Sequence, residues 1–225
     1  MRDEAVLVTG AAGVLGQAVV FELARSGWRV LAMDLAAEMP ECGQDTFLGG
    51  IDLTDPDSVK EAFASLVGPT PRIAGLANIA GGFCWETVGE GSVVAWEQMF
   101  RTNLLTALNC IGAVLPTLRS GGGAIVNVGA NAALRSGAGM GAYAASKAAV
   151  MRLTEALAEE EKDNGIRVNA VLPSIIDTPT NRADMPDADH GRWVAPQALA
   201  ATIAFLLSPG SDAVTGALIP VTGRL

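Results

Sequence analysis

The chain has 225 residues, half of them hydrophobic, and it carries a formal net charge of −9 with a pI near 4.6. This length and composition favour one domain whose core is large enough to be stable without disulfides or metal. The acidic charge argues against a nucleic-acid or anionic-membrane surface, because both partners are bound through basic patches.

Short apolar runs alternate with longer segments of helical period from one end of the sequence to the other. In chain order the predicted elements are a strand at 5–10, a helix at 17–27, a strand at 28–35, a helix at 55–67, a strand at 73–81, a long and bent helix at 93–122, a strand at 124–130, a helix at 142–163, a strand at 166–174, a polar loop, a helix at 196–208 and a strand at 217–221. This alternation predicts an α/β fold: a Rossmann-type, doubly wound parallel sheet with helices on both faces, in a single domain over residues 1–225. Ligands of such sheets bind beyond the carboxyl ends of the strands.

The three cysteines, Cys42, Cys84 and Cys110, are odd in number and far apart in the sequence. This pattern fits reduced thiols, and it matches neither a zinc-ligand spacing nor a disulfide framework. The first residues carry two acids where a signal peptide needs positive charge, and no apolar run is long enough to cross a membrane. We therefore expect a cytoplasmic protein that binds no metal, nucleic acid or membrane.

The first predicted strand leads into the turn TGAAGVLG, in which Gly10, Gly13 and Gly16 stand at every third position. Glycines at a strand–helix junction allow a tight turn, and they let a pyrophosphate approach the free N–H groups of the helix N-terminus. The same glycines would also serve close helix–strand packing, so the turn alone does not distinguish a nucleotide site from a packing role. No Gly-Lys-Ser/Thr sequence follows, which argues against a P-loop nucleotide site.

Asp34 lies at the end of the second predicted strand, 24 residues after Gly10 (34 − 10). A carboxylate at this place binds the hydroxyls of an adenosine ribose and repels a 2′-phosphate. Positions 11 and 12 are alanines, so the turn has no cation for such a phosphate. A surface aspartate at a strand end would give the same pattern. The sequence predicts NAD(H) as the preferred cofactor and NADP(H) as the weaker one.

Tyr143 and Lys147 form a Tyr-x-x-x-Lys pair at the start of the predicted helix at 142–163. Side chains four positions apart lie on one face of a helix. A nearby ammonium, together with the positive nicotinamide of the oxidised cofactor, favours the phenolate, so we predict that the pKa of Tyr143 is lowered and that Tyr143 is a proton donor. An ordinary tyrosine beside a solvated lysine would carry the same pattern. The position after the fourth predicted strand, and the lack of any other tyrosine, favour the catalytic interpretation.

The motifs stand in one order along the chain: TGAAGVLG, Asp34, DLTD with Asp52, LANIAG, FRTNL with Asn103, YAASK and RVNAVLPSIIDTP. Over essentially its whole length the chain resembles the short-chain dehydrogenase/reductase family. The resemblance implies that Asp52 meets the adenine and that residues 78–81 lie beside the adenosine ribose. It also implies that Ile176 and Thr178 bind the nicotinamide carboxamide.

The resemblance further implies how the catalytic residues act. Lys147 would bind the nicotinamide ribose, and Asn103 would hold a water relay behind Lys147. The complete set of implied cofactor-binding residues is Gly10, Gly13, Val14, Leu15, Gly16, Asp34, Asp52, Leu53, Asn78, Ala80, Gly81, Tyr143, Lys147, Pro173, Ile176 and Thr178. Two positions depart from the family pattern: Val14 replaces a usual glycine, and Ser174 replaces the glycine after a proline.

A third departure concerns the catalytic serine of the family. The serine position, thirteen residues before Tyr143 (143 − 13), holds Ala130, and Ser136 farther along the loop is a weaker substitute. The quinonoid dihydropteridine reductases, a group within the family, also keep the tyrosine and lysine without this serine. The chain resembles them in AGGF (80–83) and in the substrate-side loop at 177–193. Hydride transfer to a quinonoid ring spreads charge over several nitrogens, so a donor aimed at one oxygen is less necessary.

Two hypotheses follow. The first is an NAD(H)-dependent oxidoreductase that reduces a small carbonyl compound or a quinonoid dihydropterin-like ring, with Tyr143 as proton donor and Lys147 and Asn103 in support. The second is a catalytically silent NAD(H)-binding sensor or scaffold, which the loss of the serine would fit. The three retained polar residues argue against the second hypothesis, because a decayed site need not keep them.

Three further interpretations concern partners and the substrate pocket. By the family resemblance, the chain forms a homodimer or homotetramer through the helices at 93–120 and 142–163. Trp85 and Trp193 are candidates for the wall of an aromatic pocket, with simple loop packing as an equal alternative. His190 is a loop residue and a candidate for the rim of the substrate site.

Overall fold

Seven strands form the centre of the structure, a computed structural model that describes residues 4–67 and 72–225. Asp3, one of the two N-terminal acids noted above, lies outside these residues. The strands are β1 (Glu4–Thr9), β2 (Arg29–Met33), β3 (Thr46–Leu48), β4 (Arg72–Asn78), β5 (Gly123–Val128), β6 (Ile166–Pro173) and β7 (Leu218–Val221). They form one parallel sheet in the order β3-β2-β1-β4-β5-β6-β7. The predicted doubly wound parallel sheet is confirmed.

Helices cover both faces of the sheet, because successive side chains of a strand point to opposite faces. They are α1 (Val14–Arg25), α2 (Pro56–Val67), α3 (Val93–Phe100), α4 (Thr106–Arg119), α5 (Gly141–Glu161), α6 (Pro179–Asp184) and α7 (Pro196–Leu207). From β1, Val6 and Val8 pack with α1 and α7, whereas Ala5 and Leu7 pack with α2, α4 and α5. Burial of both faces explains why the strands are continuous apolar runs in the sequence.

Most predicted elements are present with ends shifted by a few residues, but two were missed. Strand β3 has only three residues at the edge of the sheet, too few to show a period. Helix α6 lies inside the segment that was predicted as a polar loop, so that prediction is wrong for residues 179–184. Pro179 occupies its first position, and Thr178 Oγ1 accepts the Asn181 N–H at 3.2 Å, which starts the helix.

The predicted helix at 93–122 is interrupted near its middle. A π-helical turn, Arg101–Leu105, joins α3 to α4. Such single turns occur frequently at functional sites. Here the turn carries Asn103, whose side chain is buried between the loop after β4 and α5. The interruption therefore lies where the predicted catalytic asparagine belongs.

The strand order sets where a ligand can bind. β1 lies between β2 and β4, so the chain winds away from β1 in opposite directions in the two halves of the sheet. A crevice therefore opens beyond the carboxyl ends of β1 and β4. Within the residues that the structure describes, no helix combines the length and the apolar character needed to span a bilayer.

Candidate active site

The turn after β1 depends on two glycines. Gly10 has a φ of +64°, and a Cβ there would lie 2.6 Å from the backbone nitrogen of Ala80. A Cβ at Gly16 would lie 2.0 Å from the carbonyl oxygen of Gly10, so this glycine does serve close helix–strand packing. The Gly13 N–H donates to the Gly10 carbonyl at 3.2 Å and closes the turn. The glycines therefore serve both a tight turn and close packing, at different positions, whereas the approach of a pyrophosphate to this turn stays a prediction.

The first turn of α1 leaves its N–H groups open to the crevice. The helix begins at Val14 without a side-chain cap, and its first turn carries no acidic residue. Gly13 and Val14 are exposed at this point. Free N–H groups and the helix dipole together bind anions. This end of the site fits the pyrophosphate of a dinucleotide.

Asp34 lies at the carboxyl end of β2, beside the glycine turn. One carboxylate oxygen accepts the Ala12 N–H and the other accepts the Ala36 N–H, both at 2.9 Å. These bonds hold the carboxylate on the wall where an adenosine ribose binds in Rossmann folds. Asp52 lies on the same wall, and its Oδ1 accepts the Thr54 N–H at 2.8 Å. This hydrogen bond lowers the pKa of the Asp52 carboxyl below its ordinary value.

One cleft connects the glycine turn with Tyr143, and its volume is about 1570 Å³. A single small-molecule pocket has roughly 300–1,000 Å³, so this cleft has room for a cofactor and a substrate together. The predicted cofactor-binding residues that line it are Gly10, Gly13, Val14, Leu15, Gly16, Asp34, Asp52, Leu53, Ala80, Gly81, Tyr143, Lys147, Pro173, Ile176 and Thr178. Asn78 and Asn103 do not line it.

Tyr143 and Lys147 lie on the first turns of α5, and both line the cleft. Lys147 is only 5 % exposed, and its Nζ donates to the Val128 carbonyl at 2.8 Å. Burial lowers the pKa of Lys147 to about 8 and raises the pKa of Tyr143 to about 12. Among the protein's own groups, burial alone sets the direction of the Tyr143 pKa shift, which is opposite to the predicted lowering; the part of the prediction that depends on the positive nicotinamide stays a prediction. A phenol with a raised pKa keeps the proton that a donor must deliver.

Asn103 holds the loop after β4 against α5. Its Oδ1 accepts the Gly82 N–H at 2.9 Å, and its Nδ2 donates to the Gly82 carbonyl and to Ser146 Oγ. A Cβ at Gly81 would lie 2.6 Å from Asn103 Oδ1 and 3.1 Å from Lys147 Nζ, so a larger residue would displace both groups. The Asn103 amide thus positions the backbone beside Lys147. Its participation in a water relay stays a prediction.

Asn78 lies behind the cleft. Its Nδ2 donates to Asn127 Oδ1 at 2.9 Å, and Asn127 Nδ2 donates to Thr154 Oγ1 at 2.9 Å. All three side chains are buried where β4, β5 and α5 meet. The side chain of Asn78 therefore connects two strands instead of lying beside a ribose, which corrects its predicted role. The sequence could not reveal this, because the last residue of a strand can point into the core or out of it.

Ala130, which the family resemblance places at the serine position, has its place in the structure near Tyr143 on the cleft wall. It lines the cleft just after β5 and is 2 % exposed. Ser136 is exposed and lies outside the cleft lining, and its hydroxyl donates to the Gly137 carbonyl at 3.2 Å. Ser136 is therefore not placed to supply the missing hydroxyl.

The end of the cleft around Tyr143 has an aromatic wall. Phe83 packs edge-on against Tyr143, with ring centroids 5.0 Å apart. Trp85 covers Gly139 so closely that a Cβ there would lie 2.1 Å from the indole. Phe83 and Trp85 are 57 % and 60 % exposed, so both present ring surface to a ligand. Such surfaces stack well on a flat conjugated ring.

Trp193 does not line the cleft, so of the two alternatives for this residue the structure favours simple loop packing over the pocket wall. It is buried, with its ring centroid 4.4 Å from that of His190. His190 Nε2 lies 2.9 Å from the Met185 carbonyl oxygen, which ties the chain after α6 to this pair. His190 does not line the cleft; Thr180, Asp184 and Met185 form that side instead.

Several residues of the cleft were not named individually in the sequence analysis, although the last four of them belong to the predicted substrate-side loop at 177–193. They are Leu35, Ala36, Gln98, Arg101, Thr102, Asn131, Ala132, Met140, Thr180, Asn181, Asp184 and Met185. No motif marks them, because pocket walls are not built from fixed residue types. Position was the only available signal: residues 131–140 lie between Ala130 and Tyr143, and residues 180–185 lie in the predicted substrate-side loop.

Comparison with known proteins identifies this arrangement. The family model for short chain dehydrogenase matches residues 4–189. A 3-oxoacyl-[acyl-carrier-protein] reductase of Thermotoga maritima is 31 % identical over 243 residues, covering 100 % of this chain and 98 % of the relative. The chain belongs to the short-chain dehydrogenase family.

Two further similarities agree with this assignment. The D-threitol dehydrogenase of Mycolicibacterium smegmatis is 33 % identical, covering 99 % of this chain and 93 % of that protein. A solved structure described as ElxO with NADP bound has a TM-score of 0.91 at 25 % identity, covering 99 % of this chain and 98 % of that one.

As a short-chain dehydrogenase, the chain is an NAD(P)-dependent oxidoreductase of small carbonyl or alcohol compounds. The residues present fit that cofactor, with the open first turn of α1 for its phosphates and Asp34 for its ribose. Among residues 4–67 and 72–225, no group of three or more His, Cys, Asp or Glu side chains is arranged to hold a metal ion.

Proposed function

We propose that this short-chain dehydrogenase uses NADH to reduce a flat conjugated substrate, a quinonoid dihydropterin-like ring or an aromatic carbonyl compound, with Tyr143 as proton donor. The observation that carries the proposal is the composition of the cleft around Tyr143. The serine position is Ala130, while Phe83 and Trp85 offer exposed ring surface beside the phenol. A substrate that spreads its developing charge needs stacking surface more than a donor at one oxygen.

Tyr143, Lys147 and Asn103 have different roles in the proposed reaction. The reduced nicotinamide supplies the hydride when it is bound. Tyr143 keeps its proton because burial raises its pKa to about 12, and it delivers that proton to the substrate atom that gains negative charge. Lys147 donates to the Val128 carbonyl and lies beside Gly81, where its ammonium compensates a developing phenolate. Asn103 keeps the backbone at Gly82 in place.

The preference for NADH over NADPH rests on Asp34. Both oxygens of its carboxylate are held by backbone N–H groups, so the charge cannot swing away from an incoming 2′-phosphate. The glycine turn offers no compensating cation, since positions 11 and 12 are alanines. Repulsion between the carboxylate and the phosphate therefore disfavours NADPH.

Asp34→Asn tests this preference. We expect kcat/KM for NADH to fall about ten- to hundredfold, because a hydrogen bond to a charged group contributes about 1.5–3 kcal/mol. We expect kcat/KM for NADPH to rise, since the repulsion is gone. Asp57→Asn makes the same change of charge on the exposed surface of α2 and serves as the control. A wild-type enzyme that uses both cofactors equally well would contradict the proposal.

The substrate is tested by following NADH oxidation with freshly generated quinonoid dihydropterin beside a panel of aldehydes and ketones, with NADPH in parallel. Fast turnover of the pterin and slow turnover of simple ketones is the expected result. Turnover of simple ketones alone would remove the quinonoid ring from the proposal. If no substrate of the panel is reduced although NADH still binds, the result would favour the hypothesis of a catalytically silent sensor over that of an enzyme.

Ala130→Ser restores the usual hydroxyl. One donor aimed at a developing oxyanion contributes about 10²–10³ in rate, so we expect faster reduction of simple ketones, by up to about 10²-fold. The rate with the quinonoid ring is expected to change little. Ala132→Ser, two positions farther along the same cleft wall, is the matched control. An equal gain from both variants would show that the hydroxyl does not act at the serine position.

We also propose that the chain forms a homodimer or homotetramer through α3, α4 and α5 and acts in the cytoplasm. Val93, Val94 and Leu108 support the first point, because these large apolar side chains on α3 and α4 are exposed. Light scattering during gel filtration measures the mass, and a monomer would contradict the pairing. The three cysteines are free thiols, which supports a reducing compartment.

A further inference from the structure

Asn131 lies directly after Ala130 and lines the same cleft as Tyr143. It begins a short 3₁₀ turn, Asn131–Ala133, that packs on α5. The Ala133 N–H donates to the Ala130 carbonyl, and the Leu134 N–H donates to the Asn131 carbonyl, both at 3.1 Å. Ala133 also packs against Met151 in the core. The backbone that carries Asn131 is therefore held in place, as a recognition group requires.

The carboxamide of Asn131 has no hydrogen-bond partner in the described part of the chain, although the residue is half-buried. Among the other carboxamides and carboxylates of the cleft that were not assigned to the cofactor, the situation is different. Asn181 donates to the Ile176 carbonyl at 2.7 Å, and Gln98 and Asp184 are exposed to solvent. Solvent reaches the Asn131 amide, since its atoms are not among the buried polar atoms without a partner, so a substrate that pairs with it replaces water and breaks no bond within the protein. Asn131 is therefore free to bind a substrate.

We propose that Asn131 determines substrate specificity by pairing its carboxamide with adjacent N–H and C=O groups on the edge of a flat ring. This inference rests on the proposed function and deepens it, since it names the substrate class as planar heterocycles with a cyclic amide edge. A carboxamide carries one acceptor and one N–H₂ donor side by side, which matches such an edge in two hydrogen bonds. A serine hydroxyl at the neighbouring position 130 would donate a hydrogen bond to only one oxygen of the substrate.

The aromatic wall and the amide act on different parts of the substrate. Phe83 and Trp85 offer faces for stacking, which orients the plane of a ring but not its rotation within that plane. Asn131 would fix that rotation through the two hydrogen bonds and so present the reacting atom to Tyr143. Pockets commonly combine an apolar wall with a few placed polar groups in this way.

Asn131→Leu tests the proposal, because leucine keeps the approximate size and removes both hydrogen bonds. We expect the KM for quinonoid dihydropterin to rise about ten- to a hundredfold, since each lost hydrogen bond leaves a polar group of the substrate unpaired. For benzaldehyde, which has no amide edge, KM is expected to stay within about twofold of the wild-type value, as removal of the amide costs that substrate nothing. Gln197→Leu removes an exposed carboxamide on α7, outside the lining of this cleft, and is the control.

Binding measured without turnover separates this inference from the proposed reaction. Titration calorimetry of unreactive pterin against the NADH-bound protein gives its Kd for the wild type, Asn131→Leu and Asn131→Ala. A Kd that rises about tenfold or more in both Asn131 variants, and not in Gln197→Leu, supports the inference. If pterin binds in this way but no NADH is oxidised, only the proposed function is overturned. Wild-type protein that does not bind pterin, or variants that bind it equally well, would overturn the inference.

Discussion

Tyr143→Phe is expected to lower kcat by about 10²–10⁴, the usual contribution of a positioned general acid. The variant removes only the hydroxyl and keeps the ring that packs against Phe83. Stability and NADH binding should therefore change little, while the proton donor is lost. Steady-state rates at saturating NADH measure the effect, and they are compared with NADH binding by calorimetry.

The steady-state rate and the NADH affinity of Tyr143→Phe together distinguish a proton donor from other roles of Tyr143. A variant that reduces its best substrate at the wild-type rate would remove the donor assignment. A variant that no longer binds NADH would show that Tyr143 acts through the cofactor site instead. Because a raised pKa keeps the phenol protonated, we expect the Tyr143-dependent part of the reductive rate to persist to alkaline pH, up to the point where Lys147 loses its proton.

Lys147→Met is the second variant with a large expected effect. It removes the ammonium that lies beside Gly81 and that donates to the Val128 carbonyl. Loss of one such electrostatic group costs about 10²–10³ in kcat. The exposed Lys60 on α2 provides a control, because Lys60→Met removes the same charge far from the cleft. Equal activity of the two variants would contradict the assignment.

The same variant has a distinct effect on stability. Burial lowers the pKa of Lys147 from 10.5 to about 8, so below pH 8 both the folded and the unfolded state hold the proton and the folded state bears the cost of burying it. Between pH 8 and 10.5 the unfolded state holds more protons, and the free energy of unfolding therefore rises with pH. The complete rise is about 3 kcal/mol, since one pKa unit corresponds to about 1.4 kcal/mol.

Chemical denaturation from pH 7 to 10 measures this rise as the difference between wild type and Lys147→Met. The difference is necessary because burial also raises the pKa of Cys110 to about 12, and ionisation of that thiol in the unfolded state lowers stability above pH 9. Cys110 is present in both proteins, so its contribution cancels. A difference that does not change with pH would mean that Lys147 titrates alike in both states.

Local patterns in the sequence predicted the fold because its causes are local. Each buried strand is an apolar run, and each long helix has its own period, so their alternation indicates a parallel sheet covered on both faces. Gly10 and Gly16 could be assigned to the turn for the same reason, since a positive φ or a close backbone contact demands glycine wherever it occurs. The spacing of Tyr143 and Lys147 needs only the geometry of one helix.

The missed elements lack such local signals. Strand β3 is too short to show a period, and it is a strand because β2 offers it a partner. Helix α6 has only six residues and depends on the Thr178 cap and Pro179 more than on an apolar face. Their formation depends on partners and caps that a periodicity does not report.

The features of the site also divide into those that depend on neighbouring residues and those that depend on tertiary contacts. The sequence by itself determined the fold class, the glycine turn, the carboxylate of Asp34 and the Tyr143–Lys147 pair, because each needs only neighbouring residues. Only the tertiary structure decided that Asn78 points into the core and that Asn131 lines the cleft without a partner. It also decided that burial raises the Tyr143 pKa. Desolvation and side-chain direction depend on groups brought together from distant parts of the chain, so no local pattern contains them.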